Sequence, residues 1–210
     1  QVLNSARSGW FPDLIIERHS LFSDAGWRVA DSLGIPWALE VNAPPVLERS
    51  RFERIRRTQF AKDWEKRVLL RAPTIIAVSR WLHDWLQTEV GCRNVHWVPN
   101  GVTPLRGNRD RGRELLGFDP DERVVGFLGS MKPWHGTEYL EQIASGAEAK
   151  LVLIGPTSSE LPHAVCTGHL SGQNLADAVS ALDVGLAPYP PDSPPWFCPL
   201  KVLDYRAQGT

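Results

Sequence analysis

Four segments of this 210-residue chain carry side chains that could do chemistry at the ends of apolar runs. The first is Gly126-Phe127-Leu128-Gly129-Ser130-Met131-Lys132-Pro133-Trp134-His135-Gly136. An apolar strand pattern runs into Gly129, then into a loop with Lys132 and His135, then into a helical pattern beginning near Gly136. Helix N-termini present unpaired N–H groups and a partial positive charge, which suits a phosphate. Gly129 and Gly136 permit close backbone approach. The competing reading is a plain strand-to-helix turn with a solvated lysine, and periodicity does not separate the two.

The second segment is Phe197-Cys198-Pro199-Leu200-Lys201-Val202-Leu203-Asp204-Tyr205. Pro199 stands near the first turn of a helix, and Asp204 lies one turn inside it. A carboxylate there can accept two sugar hydroxyls, as an acidic residue does for ribose in dinucleotide folds. It can equally pair with a neighbouring cation on a solvated face. The third segment, Leu39-Glu40-Val41-Asn42-Ala43-Pro44-Pro45, is a strand that ends in polar residues, as Glu17-Arg18-His19-Ser20 does before it. Glu40 and Asn42 then lie on a rim, where they either meet an acceptor hydroxyl or belong to an ion pair of Glu17 or Glu40 with Arg18.

The fourth is the stretch from Glu48 to Arg71, read as one long helix. It holds seven Arg and two Lys against three Glu and one Asp, interleaved with Phe52, Ile55, Phe60, Trp64 and Val68. Basic amphipathic helices can lie on anionic membranes; more often such a helix packs its apolar stripe on a sheet and solvates the rest. No Walker loop, nucleophile elbow or HExxH occurs, and the histidines and Cys92, Cys166 and Cys198 show no metal-ligand spacing. No metal is expected.

These loops need a scaffold, and the pattern supplies one. Strand signals at 13–17, 37–41, 74–78 and 95–98 alternate with helical signals at 25–33, 50–71 and after Ser79, a good N-cap. A polar stretch, Thr103 to Arg113, interrupts the alternation, which then restarts: strand 123–128, helix 137–145, strand 151–154, helix 174–182, strand 184–187 and a last helix 200–208. Alternation of this kind argues for parallel sheets covered by helices, in two α/β domains, 1–102 and 103–210. In such folds ligands sit outside the carboxyl ends of the strands.

Composition agrees. Hydrophobic residues make up 42% and charged residues 22%, as in globular proteins. A net charge of −1 gives no support to a nucleic-acid partner. No run of these residues reaches bilayer-spanning length, and the sparse cysteines fit a reducing cytoplasm. Gln1 opens the chain, Met131 is its only methionine, and it ends just past a helical pattern, so the expectation is a piece of a longer protein.

Taken in order, "PDLIIERHS", "PWALEVNAP", "APTIIAVSRWLHDWL", "VHWVPNGV", "VVGFLGSMKPWHG", "KLVLIG", "GHLSGQNLADAVSALDVGLAPY" and "PLKVLDYRAQGT" resemble the family 4 retaining glycosyltransferases of the GT-B fold. The resemblance implies two Rossmann-like domains, both incomplete here, the first on the acceptor side and the second binding a nucleotide-sugar donor. It implies transfer of a sugar, with retention, from a nucleotide-diphosphate donor to a glycan, lipid-linked or small-molecule acceptor, without a cofactor. A cytoplasmic location follows, with contact to the cytoplasmic face of a membrane as an option. Donor binding then falls to Gly129, Ser130, Gly136, Leu200, Lys201 and Asp204. The charge that stabilises the leaving phosphate falls to Lys132 and His135, and the acceptor side to Glu40 and Asn42. This chain departs from the family pattern at several positions. Ser130 and His135 stand where many members have Arg and Lys, Asn42 stands where a histidine is common, and the paired glutamates map onto Trp196 and Asp204. The alternatives are an epimerase or phosphorylase sharing the architecture, or a non-catalytic scaffold that keeps a nucleotide site.

Overall fold

A computed structural model describes residues 10–52, 55–102, 105–132, 135–156, 161 and 163–210. The described residues form two α/β units. One comprises Gln1–Asn100 and Pro194–Cys198, the other Gly101–Ser193 and Pro199–Thr210. This differs from a single cut at residue 102, because Pro194–Cys198 packs with the first unit.

In the first unit, β1 (Ile15–Arg18), β2 (Trp37–Val41), β3 (Ile75–Ala77) and β4 (Val95–Trp97) form an all-parallel sheet in the order 1-2-3-4. Its register sets Ile15 beside Trp37, and Leu39 beside Ile75. Helices α1 (Ala25–Leu33), α2 (Pro45–Phe52), α3 (Thr58–Arg71) and α4 (Arg80–Trp85) connect the strands, the last running on into a π-helical turn, Leu86–Val90. Leu39, Val41, Leu69, Ile75, Leu82 and Leu86 are buried together, as a parallel sheet covered on its faces requires. Ser79 caps α4, its Oγ accepting from the Leu82 N–H at 3.2 Å.

The expected single helix to Arg71 is two helices. Arg57 adopts a left-handed conformation (φ 59°) at the start of α3, and α2 ends at Phe52. The turn lets Val46 on α2 and Ala61 on α3 share one small core with Leu21 and Ile55, which a straight helix would separate. The Val46 N–H, in the first turn of α2, donates to Glu65 Oε1 on α3 at 3.1 Å. The apolar stripe of α3 (Ala61, Val68, Leu69) is buried, and Arg71 stacks on Trp27, 3.8 Å from the ring centroid.

In the second unit, β5 (Val124–Leu128), β6 (Lys150–Ile154), β7 (Ala164–Gly168) and β8 (Val184–Leu186) form a parallel sheet in the order 7-6-5-8. Strand β7 has no counterpart in the sequence reading: Cys166, Thr167 and Gly168 dilute its apolar signal, and pairing with β6 supplies the order. The helices are α5 (Arg109–Leu116), α6 (Leu140–Gly146), α7 (Gly172–Ser180) and α8 (Leu200–Gln208). Helix α5 begins inside the polar stretch read as a domain boundary and runs three residues past its end. Asn108 caps it by accepting from the Arg111 N–H at 2.9 Å, and it packs on α7, with Gly112 so close to the Asp177 carbonyl that a side chain would not fit. Alternate residues of β5 serve opposite cores. Val124 joins Val152, Ile154, Leu182 and Tyr205, while Val125 and Phe127 join Leu140, Leu151 and Leu153.

Candidate functional site

Parallel pairing places the ends of β5, β6, β7 and β8 on one rim of the second unit. Gly129 follows β5 with φ 135°, a conformation L side chains rarely adopt, and its N–H bonds the Ile154 carbonyl at 2.9 Å. The loop then closes on itself. The Lys132 N–H donates to the Ser130 carbonyl (2.8 Å) and the His135 N–H to the Lys132 carbonyl (3.0 Å). His135 Nδ1 lies 2.7 Å from the same Ser130 carbonyl, which makes Nδ1 the protonated nitrogen. Pro133 and Trp134 of this motif lie outside the described residues.

The helix expected at Gly136 starts later. A single 3₁₀ turn, Thr137–Tyr139, precedes α6, which begins at Leu140. Gly136 is left-handed (φ 62°), and a side chain there would strike the Pro188 carbonyl, so it packs against the segment after β8 instead of opening a full helix N-terminus toward a ligand.

Helix α8 carries the remaining candidates, Lys201 beside Gly129 and Leu200 and Asp204 in the wall of a cavity that Gly129, Ser130 and Gly136 do not line, and Tyr205 fixes the helix. The buried Tyr205 hydroxyl accepts from the Leu128 N–H at 2.8 Å and donates to the Leu186 carbonyl at 3.0 Å, which ties α8 to β5 and β8. Gly185 leaves room for the ring. Leu200 and Asp204, one turn apart, line a cavity of about 440 Å³ together with Leu105, Gly172, Leu175 and Val179. Its walls are mostly apolar, and Asp204 is the carboxylate among the lining residues. Burial raises the Asp204 carboxyl above its ordinary range.

Lys201 behaves differently from the rest of the helix surface. Its side chain is 7% exposed, and Nζ has no hydrogen-bond partner among the described residues. The ammonium lies 4.2 Å from the Phe127 ring centroid and 5.0 Å from that of Tyr189. It also lies 3.8 Å from where a Cβ on Gly129 would be. Burial lowers its pKa to about 8. His135 borders the same cluster, its ring centroid 5.8 Å from that of Phe127 and 5.9 Å from that of Tyr189. Burial first, then the Lys201 and Lys132 charges, push its pKa down against the Ser130 carbonyl, which raises it. The imidazole is therefore neutral at pH 7, while Lys132 is exposed on the loop.

The sequence places Lys201 among the donor-binding residues without singling out its side chain. A signal was present: a lysine in the first turn of a helix opposes the helix dipole, so its charge calls for an anion.

In the first unit the rim after β1 and β2 forms an internal ion pair, one of the two readings left open by the sequence. Arg18 donates to Glu40 Oε1 from Nε (3.2 Å) and Nη2 (3.1 Å), and Asn42 Nδ2 donates to the same oxygen. The Asn42 bond first, then Arg18, hold the Glu40 carboxyl below its ordinary value against partial burial. Glu17 instead holds the start of α1, accepting from Ser23 Oγ (2.8 Å) and the Gly26 N–H (3.1 Å). Trp196, onto which the resemblance maps one family glutamate, is 6% exposed in the core of the first unit, its ring centroid 5.6 Å from that of Trp81. His19 and Glu65, which the sequence did not single out as a pair, are both buried, with Nε2 and Oε1 4.0 Å apart. No cluster of metal-ligating side chains occurs among the described residues.

Two parallel α/β units, with small residues and a carboxylate-bearing helix on the rim of the second, define a protein of the GT-B, Rossmann-like class. Solved structures share that fold. The sucrose-phosphate synthase from Thermosynechococcus elongatus superposes with a TM-score of 0.70 at 18% identity, over 89% of this chain and 53% of that one. The Anabaena HepE protein, solved with UDP and glucose, superposes with a TM-score of 0.60 at 15% identity, over 88% and 54%. The sequence model described as Glycosyltransferase Family 4 matches residues 6–106. Among curated relatives, Bacillus subtilis TuaH, a glycosyltransferase named for teichuronic acid biosynthesis, is 25% identical over 184 residues (80% of this chain, 46% of the relative). A GDP-mannose-dependent alpha-mannosyltransferase of Mycobacterium tuberculosis is 26% identical over 191 residues (85% and 50%). Over these residues the chain is similar to family 4 glycosyltransferases. It spans about half the length of the curated relatives it matches.

Proposed function

We propose that the protein carrying this chain is a retaining glycosyltransferase that moves a sugar from a nucleotide-diphosphate donor to an acceptor hydroxyl, in the synthesis of a glycan or glycolipid. In this reaction the bond from the anomeric carbon to the β-phosphate oxygen breaks, and its electron pair stays on the phosphate. The acceptor oxygen bonds the anomeric carbon from the same face, and its proton passes to the departing phosphate. The second unit serves as the donor side. The single observation that carries this reading is the cavity of about 440 Å³ with the Asp204 carboxylate in its wall, a size suited to a small organic ligand. Its apolar residues suit a base, and the carboxylate suits the two ribose hydroxyls. Gly129 and Ser130, with the amides of Leu200 and Lys201 in the first turn of α8, offer backbone to the diphosphate. Lys132 and His135 are the loop side chains expected to meet the leaving phosphate, and Glu40 and Asn42 those expected on the acceptor side. The UDP and glucose bound to HepE and the GDP-mannose dependence of the mannosyltransferase relative support a nucleotide-sugar donor.

The test is donor hydrolysis and transfer by the intact protein across a panel of nucleotide sugars, with product configuration read by NMR. Asp204→Ala should weaken donor binding about tenfold to a hundredfold, the loss of a charge-assisted hydrogen bond. Wild-type donor affinity in that variant would remove the ribose assignment. An inverted product would remove retention.

A further inference from the structure

We propose that the buried ammonium of Lys201 is the fixed cation of the donor site, and that it takes a diphosphate oxygen over Gly129. The inference rests on the reading of the second unit as the donor side, and it assigns a charge that the loop groups do not supply in this geometry. His135 is held neutral, and Lys132 is exposed, where water screens its charge.

Three observations converge on an anion. First, Lys201 is 7% exposed and its Nζ has no hydrogen-bond partner among the described residues. A buried ammonium without a partner is costly, and the faces of Phe127 and Tyr189 offset only part of that cost. Second, Lys201 is the second residue of α8, where the helix dipole disfavours a cation. An anion at this place is attracted by both the dipole and the ammonium. Third, Nζ lies 3.8 Å from where a Cβ on Gly129 would be. That glycine follows β5 with φ 135°, so Gly129 itself sets no side chain between the rim and the ammonium. An oxyanion resting on the Gly129 backbone meets Nζ at contact distance. An aromatic-walled, largely desolvated cation does not have to reorganise as negative charge develops on the leaving phosphate.

Among the described residues, the titratable groups shown against Lys201 are His135 on the loop after β5 and Tyr189 after β8; Lys132 acts on His135, and Asp204 and Tyr205 follow Lys201 on its own helix. His135 stays neutral above pH 7, and burial raises Tyr205. Lys201, with a pKa of about 8, is the group placed to lose its charge between pH 7 and 9.5. Diphosphate affinity should therefore fall as the pH rises through that window.

The experiment is isothermal titration of the intact protein with UDP, GDP and TDP, with the matching nucleosides and with inorganic phosphate. Wild type is compared with Lys201→Met, which has nearly the same length and no charge. Wild type should prefer one nucleoside diphosphate to its nucleoside, and that preference should shrink between pH 7 and 9.5. Lys201→Met should lose about tenfold to a hundredfold in diphosphate affinity, keep its nucleoside affinity, and show no pH dependence in this window. Its melting temperature without ligand should equal or exceed that of wild type, because an unpaired buried charge has been removed. A folded Lys201→Met protein with an intact diphosphate preference would overturn the assignment and leave the donor site standing. So would a variant that loses diphosphate and nucleoside affinity together with thermal stability, which would mark Lys201 as a packing residue. Binding of inorganic phosphate as tight as that of the diphosphate would place the anion outside the donor site. Failure of wild type to bind any nucleotide or nucleoside would remove the donor reading itself, and this inference with it.

Discussion

At the scale of single residues, the molecule holds several ionisable side chains away from their ordinary behaviour, and not all of them belong to the site. Glu65 and His19 are both buried in the first unit. Burial pushes Glu65 up to about 7 from 4.5, against the Val46 N–H that lowers it, and pushes His19 down to about 4 from 6.5. Between pH 4.5 and 7 the unfolded chain has released a proton from Glu65 that the folded protein retains, so this residue makes stability fall as pH rises through that range. His19 has the opposite slope between pH 4 and 6.5, because the unfolded chain is then the more protonated. Glu65→Gln keeps the acceptor for the Val46 N–H and removes the ionisation. Its stability should match wild type near pH 4.5 and exceed it above pH 7 by on the order of 3 kcal/mol, the cost of ionising a group shifted this far. Urea unfolding of both proteins at the two pH values checks this, and His19 contributes equally to each. A variant no more stable at pH 8 than wild type would mean that Glu65 is charged in the fold and earns its place by pairing with His19.

At the scale of elements, helix α8 matters most, since it sets Lys201 beside Gly129 and Leu200 and Asp204 in the cavity wall. Its position depends on Tyr205, which links the Leu128 N–H to the Leu186 carbonyl. Tyr205→Phe leaves the ring in place over Gly185 and strands two buried backbone groups. The expected cost is about 1–3 kcal/mol, read by thermal or urea unfolding. Donor affinity should fall with it, because α8 is no longer tied to the strand that leads into Gly129. A variant that loses stability but keeps wild-type donor affinity would show that packing alone positions α8.

At the scale of the whole molecule, the division into two units does not follow the chain order. Pro194–Cys198 belongs to the first unit although the residues before and after it belong to the second. Trp196 fills the first core against Trp81, itself stacked on Trp85. The position onto which the resemblance maps a glutamate thus holds a packing residue here. Trp196→Ala should cost about 3–5 kcal/mol, as deletion of a buried aromatic does, and the loss should fall on the first unit. Hydrogen exchange of β2 and β3 against β5 and β6 distinguishes the two units. Equal loss of protection in both, or none in either, would contradict this placement.

The alternation of apolar runs with helical patterns determined two parallel α/β units, and several bounds agree with it to the residue: Ala25–Leu33, Trp37–Val41 and Leu200–Gln208. These are legible because period and capping are local properties of the chain. That a loop with Lys132 and His135 follows β5, and that Asp204 lies one turn inside α8, were legible too, from the same local patterns. Other features rest on contacts between distant positions. The break before α3 has no glycine or proline to announce it and follows from Val46 and Ala61 sharing one core. Strand β7 is ordered by its partner β6, and Trp196 joins a core assembled from residues more than a hundred positions away. The Lys201 ammonium reads in the sequence as one more charge near a helix start. Only folding sets it beside Gly129 between two aromatic rings, because burial and proximity are set by the packed chain as a whole and not by any window along it.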